Sequence, residues 1–225
     1  RDPLTGLHNR HALGEEARAM LRRTSLRDQA IALMIIDLDH FKQVNDIHGH
    51  LIGDMLLKAV SASITAVLPR GAIAARLGGD EFAVLMPFAS DKPEAIRDIG
   101  EHIVSRLNAP FNLNGILAHI GGSIGIARTD PDCVTVDALL RRADIAMYAA
   151  KRSGRGRCLW FDASMDAELK TRNALEQGLR AGIPAGQFVP VYEPQVTLAT
   201  GALSGFEVLA RWHHPSSGTI MPDQF

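Results

Sequence analysis

The sequence has little cysteine and little net charge, and each shortage excludes a class of protein. Its 225 residues contain only Cys133 and Cys158, too few and too unpatterned for a disulfide framework or a four-ligand zinc site. We interpret both as small core hydrophobes in a reducing compartment. Lys and Arg number 24 and Asp and Glu number 25, so the formal net charge is −1 and no global basic field exists. We therefore expect no nucleic-acid partner, and any bound anion must be held locally.

Long apolar runs are also missing. The longest, Ile31 to Ile36, is far below the roughly 18 residues of a membrane-spanning helix, and no signal-peptide pattern opens the chain. We expect a cytoplasmic location and no direct membrane contact from this stretch, with any membrane tether of a longer protein lying elsewhere. Hydrophobic residues make up 46% and charged residues 22%, which is ordinary globular usage. The length predicts one complete domain and part of a second.

What is present is a series of periodic segments typical of an α+β domain. In chain order, the patterns first predict a helix over 9–23, a strand over 31–36 that Asp37 ends, a helix from about 53 and a hairpin of 73–77 and 82–86. They then predict a helix over 93–107, a strand over 119–127, a helix from 135 to 152 and an edge strand over 158–161. The order strand, helix, strand, strand, helix, strand is the βαββαβ, ferredoxin-like arrangement of palm-type nucleotide cyclases, here with added helices.

The last part of the chain has a different composition. A charged, amphipathic helix is predicted from Ala163 to about Ala181, and short strands follow over 187–192 and 203–212. Both chain ends fall inside sequence patterns, so we expect a longer protein. The predicted division is a domain at 1–161, a linker helix at 162–182 and the truncated start of another domain at 183–225.

Three acidic residues fall where two neighbouring strands of such a fold come together. Asp37 ends the first strand, and Asp80 and Glu81 lie at the tip of the hairpin beside it. Carboxylate oxygens suit hard cations such as Mg²⁺, or Mn²⁺ in its place, and these cations keep phosphate oxygens in the rest of their shell. The cluster predicts a nucleoside-triphosphate site, although each acid taken alone would more often be a solvated turn residue.

The phosphates of such a nucleotide need cationic partners, because no phosphate-binding glycine loop is present. The patterns GxxxxGKS/T and GxGxxG are both missing, which excludes kinase, P-loop ATPase and Rossmann proteins. Lys42, Lys151 and Arg155 are the candidates. The alternative is that Lys151, Arg152 and Arg155, at and just beyond a predicted helix C-terminus, only complement the helix dipole.

A series of separated motifs decides between these readings. They are, in order, Asp2-Pro-Leu-Thr-Gly-Leu-His-Asn-Arg10, Ile36-Asp-Leu-Asp-His-Phe-Lys42, Asn45-Asp46, Gly49-His50, Gly53-Asp54, Arg76-Leu-Gly-Gly-Asp-Glu-Phe82 and Ala146-Met-Tyr-Ala-Ala-Lys-Arg-Ser-Gly-Arg155. Together they closely resemble a GGDEF domain, the diguanylate cyclase family, over about residues 1 to 161. The resemblance implies condensation of two GTP molecules into cyclic di-GMP with loss of two pyrophosphates, each protomer of a homodimer presenting one GTP.

The resemblance also implies a role for each matching residue. The metal ligands would be Asp37, Asp80 and, through its backbone carbonyl, Leu38. The nucleoside would be held by Asn45, His50 and Asp54. The phosphates would be held by the amides of His40 and Phe41 and by the side chains of Lys42, Lys151 and Arg155. The catalytic residues would be Asp80, Glu81 and Lys42. Asp80 is the first candidate for helping to deprotonate the 3′-hydroxyl, and Glu81 is the second.

Four positions bear on specificity and regulation. The family's product-inhibition motif, Arg-x-x-Asp, would fall on Pro69 and Ala72, so we expect no feedback inhibition through that site. Gly156 stands where the family often has Asn, which would loosen the phosphate loop slightly. Asp54 can accept two donors from guanine but would repel the acceptor edge of adenine, so a cyclase that uses ATP is disfavoured.

The tail from about Glu176 to Phe225 resembles the opening of an EAL domain, the cyclic di-GMP phosphodiesterase family. The matching segments are Val191-Tyr-Glu-Pro-Gln195, Gly205-Phe-Glu-Val-Leu-Ala-Arg-Trp212 and His214-Pro215. By resemblance Glu207 would be a metal ligand and Arg211 a phosphate contact. Roughly four fifths of the barrel is absent, and a barrel cannot close from its first strands, so we expect no phosphodiesterase activity from this chain and a poorly packed tail.

Two functions remain open from the sequence. One is an active diguanylate cyclase within a tandem GGDEF and EAL protein that also has an upstream sensory domain. The other is a GTP-binding module that controls the attached phosphodiesterase without turning GTP over. The intact set of Asp37, Asp80, Glu81, Lys42 and Asn45 favours the enzyme.

Overall fold

The computed structural model describes residues 1–24 and 29–225, which form two compact units, Arg1–Met165 and Asp166–Phe225. The elements of the first unit are α1 (Arg10–Thr24), β1 (Gln29–Asp39), α2 (Phe41–His48), α3 (His50–Thr65), β2 (Ile73–Gly78), β3 (Glu81–Ala89), α4 (Pro93–Asn108), β4 (Phe111–Leu113), β5 (Ile116–Ala118), β6 (Gly121–Arg128), α5 (Val136–Arg152) and β7 (Cys158–Trp160). The elements that follow are α6 (Ala163–Gly182), β8 (Phe188–Val196), β9 (Leu203–His214) and β10 (Gly218–Ile220).

The first unit is built on a five-stranded sheet in the order β2-β3-β1-β6-β7. Neighbouring strands are antiparallel except for β6 and β7, which are parallel. Without the edge strand β7, this is the strand order and direction of a βαββαβ, ferredoxin-like fold, so the predicted fold class is confirmed. Because β1 lies between β3 and β6, its C-terminal end meets the β2–β3 turn on one side and the start of β6 on the other.

Helices cover both faces of this sheet because β1 is apolar on both sides. Successive side chains of a strand point to opposite faces. The even-numbered residues from Ala30 to Leu38 join a core with α3 and α4, and the odd-numbered residues from Ile31 to Ile35 join a core with α1 and α5. Continued along the strand, the same alternation puts Asp37 on the α5 side, where it comes close to the C-terminal end of that helix.

The structure corrects three predicted boundaries. Asp37 does not end the first strand, because β3 pairs with β1 as far as Asp37 and β6 continues the pairing as far as Asp39. The predicted helix from about residue 53 begins at His50, and α2 precedes it. The predicted strand over 119–127 begins at Gly121, after a small hairpin of β4 and β5 that was not predicted.

The second unit contains a three-stranded antiparallel sheet in the order β10-β9-β8. Its core is small and centres on Trp212, which stacks on Phe188 with ring centroids 5.2 Å apart. The indole N–H of Trp212 donates to the side-chain oxygen of Gln187 at 3.0 Å. Most other side chains of β8 and β9 are exposed, so few of them contribute to a core. No helix within residues 1–24 and 29–225 is long and apolar enough to cross a bilayer.

Candidate functional site

Asp37 lies at the centre of the site, near the end of the middle strand. It is buried, and its register partners are Glu81 on β3 and Ser123 on β6. Lys151, in the last turn of α5, places its Nζ 2.7 Å from Oδ2 of Asp37. The fold therefore joins two predicted site residues that are more than a hundred positions apart in sequence, a carboxylate and an ammonium group.

Burial raises the pKa of Asp37 above its ordinary value, and the charges of Asp80 and Asp39 add to the increase. The hydrogen bond and the charge of Lys151 act in the opposite direction without cancelling it. Burial also raises the pKa of Glu81, with a further contribution from the negative charge of Asp37. This end of the sheet thus holds two carboxyl groups, those of Asp37 and Glu81, whose charged forms are disfavoured. Carboxyl groups with raised pKa values are typical of sites that bind a cation or move a proton.

The turn that carries Asp80 is fixed to the rest of the domain. The carbonyl oxygen of Asp80 accepts the Leu38 N–H at 3.3 Å, which ties the turn to β1. The guanidinium of Arg76 donates to the carbonyl of Gly79 at 3.0 and 2.7 Å and also contacts the carboxylate of Asp2 at 3.3 Å. Asp80 is therefore held next to Asp37 by backbone and side-chain contacts on both sides of the turn.

The donor set suits magnesium only with help from a substrate. Within residues 1–24 and 29–225, no group of three or more His, Cys, Asp or Glu side chains converges on one point. Asp37, Asp80 and the carbonyl of Leu38 offer oxygen atoms alone, which is the chemistry that Mg²⁺ prefers. Mg²⁺ is commonly held by one or two carboxylates plus phosphate oxygens, so these residues fit the metal as part of a shell that a nucleotide would complete.

The start of α2 supplies backbone donors beside this carboxylate pair. His40 has a left-handed backbone, with φ 68, and Phe41 is the buried first residue of the helix. The first N–H groups of a helix have no partner within it and attract anions. Lys42 follows on the exposed side of α2. This arrangement suits the predicted phosphate contacts of all three residues.

The predicted nucleoside residues lie on the adjoining helices. A single residue, Gly49, joins α2 to α3, and this turn packs the Asn45 side chain of α2 directly against Gly53 of α3. A methyl group on Gly53 would overlap the Asn45 amide, so glycine is required for this close approach. Asp54 comes next on α3, and His50 is the exposed first residue of that helix. Asn45 and Asp54 are thus near neighbours.

Three predicted residues keep free side chains. In the part of the chain that the structure describes, the side chains of Lys42, His50 and Asp54 are exposed and make no hydrogen bond or ion pair. Polar groups that are free of internal partners remain available to a ligand. The binding roles of these three residues stay predictions.

Arg155 lies in a loop that follows α5 and closes the site. Gly154, Arg155 and Gly156 all have positive φ, at 115, 59 and 56. The loop, together with the start of β6 and the end of α4, lines a cavity of about 390 Å³ next to His40. The carboxylate of Asp39 anchors it, because Oδ2 accepts the Gly156 N–H at 3.2 Å and Oδ1 lies 3.7 Å from Nε of Arg155.

Sequence reasoning missed Asp39 and its partner Ser123. The hydroxyl of Ser123 on β6 donates to the carboxylate of Asp39, with distances of 3.0 and 2.9 Å to its two oxygens. The signal that could have found Asp39 is its place two residues after Asp37, since alternate residues of a strand share a face. Ser123 carried no signal, because only the register of β6 against β1 brings it there.

The predicted residues of the tail lie on β9. Glu207 is exposed and stands opposite Glu193 of β8 in the strand register. Arg211 is opposite Val189, and its guanidinium donates to the carbonyl of Ala210 at 2.9 Å. Two like charges opposite one another on exposed strands do not form a closed metal site.

Comparison with protein families gives two matches. Residues 1–157 match the family described as diguanylate cyclase, GGDEF domain, and residues 172–225 match the EAL domain. The bifunctional diguanylate cyclase/cyclic di-GMP phosphodiesterase MucR of Pseudomonas aeruginosa is 37% identical over 224 residues, which cover 100% of this chain and 32% of that protein. The cyclic di-GMP phosphodiesterase PdeR of Escherichia coli is 35% identical over 224 residues, 100% of this chain and 33% of its own. The chain thus spans about a third of the length of these relatives.

Solved structures resemble the first unit. The GGDEF domain of TpbB, also called YfiN, from Pseudomonas aeruginosa aligns with a TM-score of 0.71 and 36% identity over 76% of this chain and 99% of that one. The GGDEF domain of DgcB from Caulobacter crescentus, solved in complex with c-di-GMP, aligns with a TM-score of 0.65 and 32% identity. That alignment covers 71% of this chain and 94% of the DgcB chain.

Proposed function

The chain belongs to the GGDEF family of diguanylate cyclases, followed by the start of an EAL domain, and from that membership we propose that it condenses two GTP molecules into cyclic di-GMP and two pyrophosphates. The observation that carries the proposal is the meeting of Asp37, Asp80 and Lys151 at one end of the sheet, where burial, with a smaller contribution from neighbouring acidic groups, raises the pKa of the Asp37 carboxyl. A site of that kind suits a metal nucleotide.

The proposed metal is Mg²⁺, or Mn²⁺ in its place, held by Asp37, Asp80 and the carbonyl of Leu38. When bound, it would neutralise phosphate charge and make the attacking hydroxyl more acidic. Lys151 pairs with Asp37 in the structure and would exchange this partner for a phosphate oxygen. Lys42, Arg155 and the first amides of α2 would hold the remaining phosphate oxygens.

The proposed reaction also needs a proton acceptor for the 3′-hydroxyl. Asp80 is our first choice because its turn is fixed beside Asp37, and Glu81 is the second. The raised pKa of Glu81 suits a general base, since a base works best when its pKa approaches the working pH. Arg10 lies 3.7 Å from Glu81 and limits that increase. No covalent nucleophile is required, so neither cysteine has a role.

Guanine recognition is proposed for Asn45 and Asp54, with His50 near the sugar. The packing of Asn45 against Gly53 supports this, because it holds the amide next to the residue that precedes Asp54. A carboxylate there would accept the two donors of guanine and repel adenine. The reaction product contains two nucleotides, so we propose that two copies of the chain face each other, each with one GTP.

A second candidate function is a GTP-binding module that controls an attached phosphodiesterase. The observation that favours it is that relatives aligned over the whole of this chain include PdeR and NbdA, both named as cyclic di-GMP phosphodiesterases. In either case we propose that the full protein continues into a complete EAL domain and carries an upstream sensory domain. We propose no hydrolysis of cyclic di-GMP by residues 183–225, since Glu207 lies on an open, exposed sheet.

A synthesis assay separates the two functions. The chain would be fused to a parallel dimeric coiled coil and incubated with GTP and Mg²⁺, and cyclic di-GMP would be quantified by mass spectrometry. The cyclase proposal predicts product that is lost in Asp80→Ala. Tight GTP binding without product from the enforced dimer would instead support the regulatory module.

A further inference from the structure

Asp39 is the most completely bonded acidic side chain of the site. Its relative exposure is 4%, and its carboxylate accepts the Ser123 hydroxyl and the Gly156 N–H. Buried carboxylates are expensive to desolvate unless several donors satisfy them. Asp39 meets this condition with donors from Ser123 of β6 and from Gly156 of the loop after α5. It therefore fixes those two segments to each other.

The loop that Asp39 holds has an unusual backbone. Three consecutive residues, 154–156, have positive φ, and the middle one is Arg155 with φ 59. A residue with a side chain is unfavourable in that region, so tertiary contacts must hold it there. Two such contacts are the hydrogen bond from the Gly156 N–H to Asp39 and the hydrogen bond from the Arg155 N–H to the carbonyl of Ala150 at 3.1 Å.

Asp39 also orients the charge of the loop. Its Oδ1 is 3.7 Å from Nε of Arg155, whose side chain is 56% exposed. A guanidinium carries five N–H donors in a rigid fork, so a contact at Nε leaves the terminal nitrogens available. The terminal nitrogens are the part of arginine that binds phosphate in a bidentate manner.

We propose that Asp39 is a positioning residue for the triphosphate. It fixes the 153–157 loop and directs the guanidinium of Arg155 towards the terminal phosphates, without touching the nucleotide or the metal. Ser123 supports it by holding the carboxylate in one orientation. This inference rests on the proposed function and adds to it, because it assigns a residue that selects the number of phosphates rather than the base.

The test compares binding of two guanine nucleotides in the presence of Mg²⁺ by calorimetry. One is the α,β-methylene analogue of GTP, which cannot lose pyrophosphate, and the other is GMP, which lacks the terminal phosphates. The variants are Asp39→Asn, which keeps a hydrogen-bond acceptor but removes the charge, and Ser123→Ala. Asp98→Asn, on the exposed face of α4, is the matched control.

Asp39→Asn should weaken binding of the GTP analogue by about tenfold, because Arg155 would no longer be held in place for its charge-assisted hydrogen bonds to the terminal phosphates. GMP lacks those phosphates, so its binding should stay within about twofold of the wild-type value. Ser123→Ala should act in the same direction with a smaller effect, and it serves if Asp39→Asn does not fold. In an Arg155→Ala background, Asp39→Asn should have no further effect on analogue binding, because the two residues act as one unit.

Two results would overturn the inference alone. One is wild-type binding of the analogue that Asp39→Asn leaves unchanged, and the other is an equal loss for the analogue and for GMP, which would indicate a general structural role. Failure of the wild-type chain to bind the GTP analogue at all would instead contradict the proposed function.

Discussion

Asp37 is buried, pairs with Lys151 and has Asp39, Asp80 and Glu81 as acidic neighbours, so stability and function conflict at this residue. Burial, together with acidic neighbours, raises its pKa despite the contact with Lys151, so the folded protein is penalised for keeping this carboxylate charged. Carboxylates of this kind persist where a ligand needs them, at the expense of stability.

The variant Asp37→Asn should show that conflict directly. Without Mg²⁺, we expect its unfolding midpoint at neutral pH to exceed that of the wild type, because no charge is buried and Lys151, which is partly exposed, can turn to solvent. Its affinity for Mg²⁺ with a GTP analogue should fall by more than about tenfold. Thermal unfolding with and without both ligands measures the two effects, and Asp91→Asn, an exposed substitution, should change neither.

The sign of the pH dependence follows from the raised pKa of Asp37. A group whose folded pKa is raised contributes stability that is full below the unfolded pKa and is lost as the pH rises through the folded pKa. The advantage of Asp37→Asn over the wild type should therefore grow as the pH rises from about 4 towards neutrality. An advantage that shrinks over that range would contradict this reading of the site.

Gly53 gives a second prediction at the residue scale. Gly53→Ala adds a methyl group that displaces the Asn45 amide, so guanine-nucleotide affinity should fall by about tenfold. The folded state should lose little, because a flexible side chain can move and Ala favours a helix interior by roughly 0.5–1 kcal/mol. Gly14→Ala in α1, where the new methyl meets only ordinary contacts, is the control and should leave nucleotide binding unchanged. Calorimetric titration with the GTP analogue distinguishes the two variants.

At the scale of the element, α5 links the fold to the site. Its N-cap is Thr135, whose hydroxyl oxygen accepts the Ala138 N–H at 3.2 Å. Its last turn carries Lys151, which contacts Asp37. Its middle packs against β6 so closely that a Cβ on Gly125 would meet the helix backbone.

Removing the cap of α5 should lower stability without changing the chemistry. Thr135→Ala should reduce the free energy of unfolding of the first unit by about 1 kcal/mol, the usual value for a lost N-cap. Urea unfolding measures the loss, and Thr135→Ser should retain most of the wild-type value because it keeps the hydroxyl. A large drop in nucleotide affinity with unchanged stability would be inconsistent with a purely structural cap.

The turn before β2 gives a prediction about regulation. Pro69 and Ala72 occupy the positions of the family's product-inhibition motif, and the Ala72 N–H donates to the Pro69 carbonyl at 3.2 Å. Neither side chain offers a charge to a phosphate, so added cyclic di-GMP should leave the initial rate of synthesis unchanged. A product titration tests this, and noncompetitive inhibition that depends on residues 69–72 would contradict it.

The sequence predicted the helices and strands whose apolar patterns were long, and it failed where short segments or polar residues set the structure. α4 and α5 were predicted within one residue at each end, because their apolar periodicity covers nearly the whole of each helix. The β4–β5 hairpin was missed although its turn is Asn114-Gly115, a strong hairpin signal that three-residue strands do not reinforce. The anchoring of Arg155 by Asp39 could not be predicted, since it depends on a loop conformation with no regular periodicity.

At the scale of the whole molecule, the two units differ in how complete they are. The first has two apolar cores and brings Asp37, Asp80 and Lys151 together. The second buries Trp212 and Ile220 and leaves apolar side chains of β8 and β9 exposed, such as Tyr192 and Phe206. The predicted loose packing of this tail therefore agrees with its small core. All residues of the proposed cyclase site belong to the first unit.

The central claim is that Asp37 and Asp80 share one magnesium ion beside a guanosine pocket. A crystal structure of the chain with Mg²⁺ and the α,β-methylene analogue of GTP tests it most directly. The account predicts one ion with a carboxylate oxygen of Asp37 and one of Asp80 at about 2.0–2.1 Å, and guanine between Asn45 and Asp54. An ion held by the phosphates without Asp37, or carboxylates of Asp37 and Asp80 too far apart to share a cation, would contradict it.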